Sequence, residues 1–108
     1  MRIDKLGEFK LLNQIFSFIR RKKSFLSGPG DDTVLIPFSK NKVYLITTDT
    51  LIENIHFKKE YITWKDLAYK SIAVNLNDLS AMGFVTPKYC LLTTSYPEYT
   101  DSKDILDF

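Results

Sequence analysis

Cysteine and histidine are almost missing from this 108-residue chain, which has one of each, Cys90 and His56. A single thiol excludes an internal disulfide and fits a reducing compartment. One histidine, with no second His and no Cys nearby, argues against a zinc site. A lone histidine between apolar neighbours, as in Ile55-His56-Phe57, is more often structural than functional. No apolar run approaches the roughly 20 residues of a membrane-spanning helix, and no secretory apolar region opens the chain. The net charge is only +2, too mild to argue for nucleic acid. No internal repeat, low-complexity segment or flexible linker appears. What is present is an ordinary globular composition, 44% hydrophobic and 26% charged. The length allows one small domain, residues 1–108, with an adequate but thin core that dimerisation or a further domain would supplement. Asp101 to Phe108 reads as the opening turns of a helix cut short, so a fragment of a longer protein is expected.

Along the chain, Leu6, Phe9, Leu12, Ile15, Phe16 and Ile19 recur at three- and four-residue intervals and predict an amphipathic helix from Lys5 to Arg21. Arg20-Arg21-Lys22-Lys23 at its end is either a phosphate-binding patch or, the reading preferred here, cations complementing the helix dipole on a solvated surface. Ser27-Gly28-Pro29-Gly30-Asp31-Asp32-Thr33 has the residues of a tight exposed loop. Because neighbours in extended chain point opposite ways, at most one of Asp31 and Asp32 should face a given site. Val34 to Phe38 and Val43 to Thr48 predict a β-hairpin around Lys40-Asn41.

The stretch Val43-Tyr44-Leu45-Ile46-Thr47-Thr48-Asp49-Thr50 is the one the rest is organised around. Its apolar half reads as a buried strand. The oxygen-bearing half is open to two readings: ordinary strand residues with an Asp terminator, or donors at a rigid strand end of the kind magnesium requires. Thr63 to Met82 predicts a helix capped by Thr63 and Asp66 and ended by Gly83. Trp64, Ala68, Ile72, Leu76 and Leu79 form its apolar face, with Asn75 inside the stripe and Ser71 and Asp78 on its border. Buried there without partners they would be costly. Either they bond to neighbouring backbone or, the preferred alternative, they line a polar site facing Asp49. Tyr89 to Tyr96 predicts a third strand ended by Pro97, with Cys90 as a small core residue. The order of elements predicts an α+β (mixed α/β) fold.

Taken together, Gly30-Asp31-Asp32-Thr33, Thr47-Thr48-Asp49-Thr50-Leu51 with Glu53 and His56-Phe57, Ala73-Val74-Asn75-Leu76-Asn77-Asp78-Leu79-Ser80-Ala81-Met82-Gly83 and Pro87 resemble one family. It is the N-terminal domain of the thiamine-monophosphate kinases, within the aminoimidazole-ribonucleotide-synthetase-like ATPase superfamily. Gly7-Glu8-Phe9 matches the family's opening helix. The resemblance covers nearly the whole chain but not the family's second domain. It implies phosphorylation of thiamine monophosphate to thiamine diphosphate with ATP and several Mg2+ ions. By position, Asp32, Thr47, Thr48, Asp49 and Asp78 resemble the magnesium ligands, with Asp31 a weaker candidate and Asn75 supporting the site from behind. His56 stands at the substrate-contacting position, which reverses the initial preference for a structural role. Asn77 stands where relatives often carry Ser, and further nucleotide-contacting residues are expected beyond Phe108. The resemblance also implies a homodimer whose strands join into a barrel. The single thiol adds the expectation of a cytoplasmic setting, and the mild charge and short apolar runs that of no nucleic-acid or membrane partner.

Phosphoryl transfer needs positioning and charge neutralisation more than covalent help. Repelling carboxylates tolerate one another when magnesium ions sit among them. No protein nucleophile and no phosphoenzyme are therefore expected, and the fragment alone is expected to be inactive. The alternatives are another ATPase of the superfamily, such as a purine-pathway synthetase, or a non-catalytic dimerisation module. The stretch Asp49 to Phe57 favours the thiamine branch. A nucleic-acid binder using Arg20 to Lys23 conflicts with the acidic cluster.

Overall fold

Gly7 breaks the helix near the start of the chain without disturbing its apolar spacing. In the computed structural model, which describes residues 3–19, 26–27, 30–83 and 85–108, the predicted single helix is two: α1, Ile3–Leu6, and α2, Glu8–Phe18. Gly7 between them has φ 78 and ψ 153, a conformation open only to a residue without a Cβ. The sequence period is blind to such a break because the apolar spacing continues across it. The described residues form two compact units, 1–46 and 47–108. The basic run Arg20 to Lys23 and the Gly28-Pro29 pair lie outside the described residues.

In the first unit, α2 buries none of its side chains, and Phe9 and Phe18 are 81% and 85% exposed. The sheet there is a two-stranded hairpin, marginal by itself and too small to cover an amphipathic stripe. Strands β1, Val34–Ser39, and β2, Lys42–Ile46, pair antiparallel with Val34 opposite Ile46 and Ile36 opposite Tyr44. Lys40 and Asn41 make the turn, as predicted. The register slips between Pro37 and Ser39, where proline has no N–H to give the ladder. Around that bulge the Phe38 and Tyr44 rings meet with centroids 4.7 Å apart. The expectation of a buried strand at Val43 to Ile46 is corrected: only Leu45 is half-buried, and Val43, Tyr44 and Ile46 are exposed. A lone pair of strands has no second layer to cover it.

The second unit is built on α3, Trp64–Ala81. Thr63 caps it, its hydroxyl accepting from the Asp66 N–H at 3.1 Å and donating to Asp66 Oδ2 at 2.6 Å. Gly83, at φ 109, takes the left-handed turn that stops it. The short helix α4, Ser102–Asp107, is capped by Asp101 and packs on α3. The Trp64 and Tyr96 rings meet at a tilt with centroids 5.8 Å apart, and Tyr96 lies edge-on to Phe108 at 6.5 Å.

Two further expectations are corrected here. Tyr89 to Tyr96 carries no strand, with Tyr89 and Leu91 each 95% exposed, and Cys90 is exposed rather than a core residue. The β-favouring residues are present, but a strand exists only when a neighbour fills its backbone hydrogen bonds. The core is also smaller than expected: Leu67 is the single buried apolar residue among those described, at 6% exposure. The architecture is therefore mixed helix and small antiparallel sheet. Among the described residues no helix is long and apolar enough to cross a membrane.

Candidate functional site

The chain after Ile46 turns at once to polar side chains, and the first of them finds a partner far along the sequence. Thr47 Oγ1 donates to Asp78 Oδ2 at 2.9 Å, a partly buried bond across 31 residues. Asp78 sits on α3, half-buried. A helix carboxylate on the border of an apolar stripe thus gains a hydroxyl donor, as its desolvation demands. Thr48 and Asp49, next in the chain, are exposed.

The neighbouring stripe residues behave differently. Asn75 Nδ2 donates to the Ser71 carbonyl at 3.0 Å, and Ser71 Oγ donates to the Ala68 carbonyl at 2.7 Å. The two alternatives posed for these residues therefore divide. Asn75 and Ser71 bond to their own helix backbone, while Asp78 reaches out to Thr47.

His56 lies in a tight loop. The Ile55 and His56 N–H groups both bond to the Ile52 carbonyl, at 3.2 and 2.8 Å, and the Asn54 N–H bonds to the Phe57 carbonyl at 2.7 Å. Asn54 supplies the reversal with φ 63, a conformation asparagine tolerates better than most residues. The His56 ring is exposed, and its Nδ1 accepts the Ile52 N–H at 3.0 Å. Lys70, on α3, donates to the His56 carbonyl at 2.6 Å. Neither Lys70 nor Leu67 stood out in the sequence. A signal was there: they lie three residues apart, on one face of a helix.

In the first unit, the Asp31 carboxylate is occupied locally. It accepts from Ser27 Oγ at 2.5 Å and from the Asp32 N–H at 3.0 Å. Ser27 itself forms an antiparallel bridge to Leu35 of β1. The Asp32 side chain is exposed. Thr33 is buried at 4% exposure, and its hydroxyl has no hydrogen-bond partner among the described residues.

Within neither unit do three or more His, Cys, Asp or Glu side chains, among the described residues, gather closely enough to hold a metal. In chemistry the candidate set is all oxygen: Thr47, Thr48, Asp49 and Asp78 in one unit and Asp31 and Asp32 in the other. That fits a hard cation such as magnesium and excludes a soft one. The second unit also carries an open cleft of about 830 Å³. Lys59, Ile62, Trp64, Leu67 and Leu106 help to line it, and Lys59 Nζ stands 4.7 Å from the Trp64 ring centroid. None of the candidate ligands lines that cleft.

Comparison with known proteins places the chain as a whole. The chain is 47% identical over 93 residues to the thiamine-monophosphate kinase of Buchnera aphidicola (subspecies Schizaphis graminum), covering 85% of this chain and 28% of that protein. It is 37% identical over 97 residues to that of Escherichia coli, covering 89% and 29%. It is 33% identical over 99 residues to that of Bacillus subtilis, covering 91% and 30%. The chain thus spans less than a third of the length of these relatives. No solved structure matches it. Residues 30–107 match the family model described as AIR synthase related protein, N-terminal domain. That match takes in Asp31, Asp32, the stretch Thr47 to Asp49, His56 and Asp78, and the chain belongs to this family.

Proposed function

We propose that the protein carrying this chain transfers the terminal phosphoryl group of ATP to thiamine monophosphate, and that these residues supply the N-terminal metal-binding part of the site. The observation that carries the reading is the Thr47–Asp78 bond. It ties two of the candidate ligands together in a chain similar to thiamine-monophosphate kinases over most of its length.

In this reading Asp32, Thr47, Thr48, Asp49 and Asp78 would hold Mg2+. Asp31 is the weaker ligand because Ser27 and the Asp32 amide already use its oxygens. Asn75 would support the site from behind, one turn from Asp78 on α3, with its amide held on the Ser71 carbonyl. Bound magnesium supplies neutralisation of the negative charge on the two phosphate groups. An oxygen of the acceptor phosphate attacks the terminal phosphorus of ATP, the bond to the bridging oxygen breaks, and ADP leaves with that electron pair. No side chain of this chain is a nucleophile in the scheme. His56 would donate from its ring to the acceptor phosphate and orient it. The rest of the nucleotide and substrate contacts belong to the length of the relatives that this chain does not span. The 108-residue piece alone is expected to be inactive.

The same reading includes a cytoplasmic homodimer. The exposed Tyr89–Ser95 segment would gain its missing strand partner from a second copy, and strands from both copies would close into a barrel. The exposed Tyr89 and Leu91 support this.

The test is ADP release by the full-length protein with thiamine monophosphate as acceptor, across a magnesium series. Asp49→Asn should lose magnesium-dependent turnover while its circular dichroism overlays the parent. Undiminished turnover would remove the metal assignment. ADP release that is indifferent to thiamine monophosphate would favour another ATPase of the superfamily.

A further inference from the structure

Three of the four polar groups of His56 are already committed. Its N–H donates to the Ile52 carbonyl at 2.8 Å, its Nδ1 accepts the Ile52 N–H at 3.0 Å, and its carbonyl accepts Lys70 Nζ at 2.6 Å. A backbone N–H can only donate, so the Nδ1 facing it carries no proton. The proton of the neutral ring is then on Nε2, the one group left over, and the ring is exposed. Lys70 completes the arrangement from 14 residues away. Its ammonium rests on a backbone carbonyl, the strongest form of bond available to that acceptor. It joins the Ile52–Phe57 loop to α3, the one long helix of the unit. Without that link the loop is held mainly by bonds among its own residues.

We infer that Lys70 is a positioning residue: together with the Ile52 N–H, it presents His56 as a fixed Nε2–H donor for an oxygen of a phosphorylated acceptor. The donor is specific in what it takes. A neutral Nε2–H serves a phosphate oxygen and has nothing to offer a second donor. The role toward substrate rests on the proposed function, whereas the clamp itself does not.

The experiment therefore has two arms on the full-length protein. In the first, hydrogen exchange is followed by mass spectrometry over the peptide containing Ile52 to Phe57. Lys70→Met should accelerate exchange there about fivefold, the loss of one net hydrogen bond. Lys65→Met, on an exposed turn of the same helix, should leave it unchanged. Imidazole nitrogen NMR, with the His56 signal assigned by its loss in His56→Gln, should show Nε2–H in the parent. In the second arm, Lys70→Met should raise KM for thiamine monophosphate by up to about fivefold, the same factor as the lost hydrogen bond, with kcat nearly kept, the pattern of lost binding shared by ground and transition states. Lys70→Arg should restore most of it. A parent ring protonated on Nδ1, or exchange indifferent to Lys70, overturns the clamp. Faster exchange with unchanged KM overturns the role toward substrate. A parent inactive on thiamine monophosphate overturns the proposed function instead, and the exchange and NMR arms then decide the clamp alone.

Discussion

Adjacent threonines just past β2 have different duties. Thr47 is half-buried and bonded to Asp78, while Thr48 is exposed. Thr47→Val keeps the shape but removes a hydroxyl that a partly buried carboxylate depends on, and should cost about 1.5–3 kcal/mol. Thr48→Val should stay within roughly 0.5 kcal/mol of the parent. Urea midpoints of the two variants check this, and equal midpoints would mean that the Asp78 bond contributes nothing to the fold. Thr33 shows the opposite condition, a buried hydroxyl with no partner among the described residues, which costs about 1–3 kcal/mol of desolvation.

At the scale of elements, α3 is held by its ends more than by its face. Only Leu67 of the helix is buried, and Ile72 and Leu76 are exposed. The Thr63–Asp66 cap therefore carries an unusual share of its stability. Thr63→Ala should cost about 1 kcal/mol, read as a lower melting temperature with a loss of helical circular dichroism. Thr63→Ser keeps the hydroxyl and should melt with the parent, which separates the capping bond from any effect of side-chain size. The hairpin is weaker in kind. Its ladder is broken at Pro37, and β2 depends on pairing along one edge.

For the whole molecule, the question is what covers the apolar side chains. Phe9 and Phe18 in the first unit and Tyr61, Tyr89, Leu91 and Leu106 in the second are all exposed, and single-chain packing leaves them so. If the Tyr89–Ser95 segment pairs with a second copy, Leu91→Lys should weaken association by about 1.5–3 kcal/mol, the worth of burying one leucine. Light scattering across a dilution series measures it. A parent that is monomeric throughout, or a variant that dimerises as tightly, would count against strand pairing at this segment.

Much was legible in the sequence because its causes are local. Thr63, Asp66 and Gly83 announce α3 through bonds made within one turn, and Lys40-Asn41 between two β-favouring runs announces the hairpin. The family motifs likewise lie in short contiguous stretches. Other features depend on partners distant in the chain or absent from it. The break at Gly7 is a choice of backbone angle that apolar spacing does not register. Tyr89 to Tyr96 has the residues of a strand, yet a strand is a property of two segments. The bond from Thr47 to Asp78 and the hold of Lys70 on His56 join positions brought together only when loop and helix have folded. Local chemistry was written in the order of residues; which side chains meet was decided by the tertiary structure, because a contact needs two surfaces and a sequence names them one at a time.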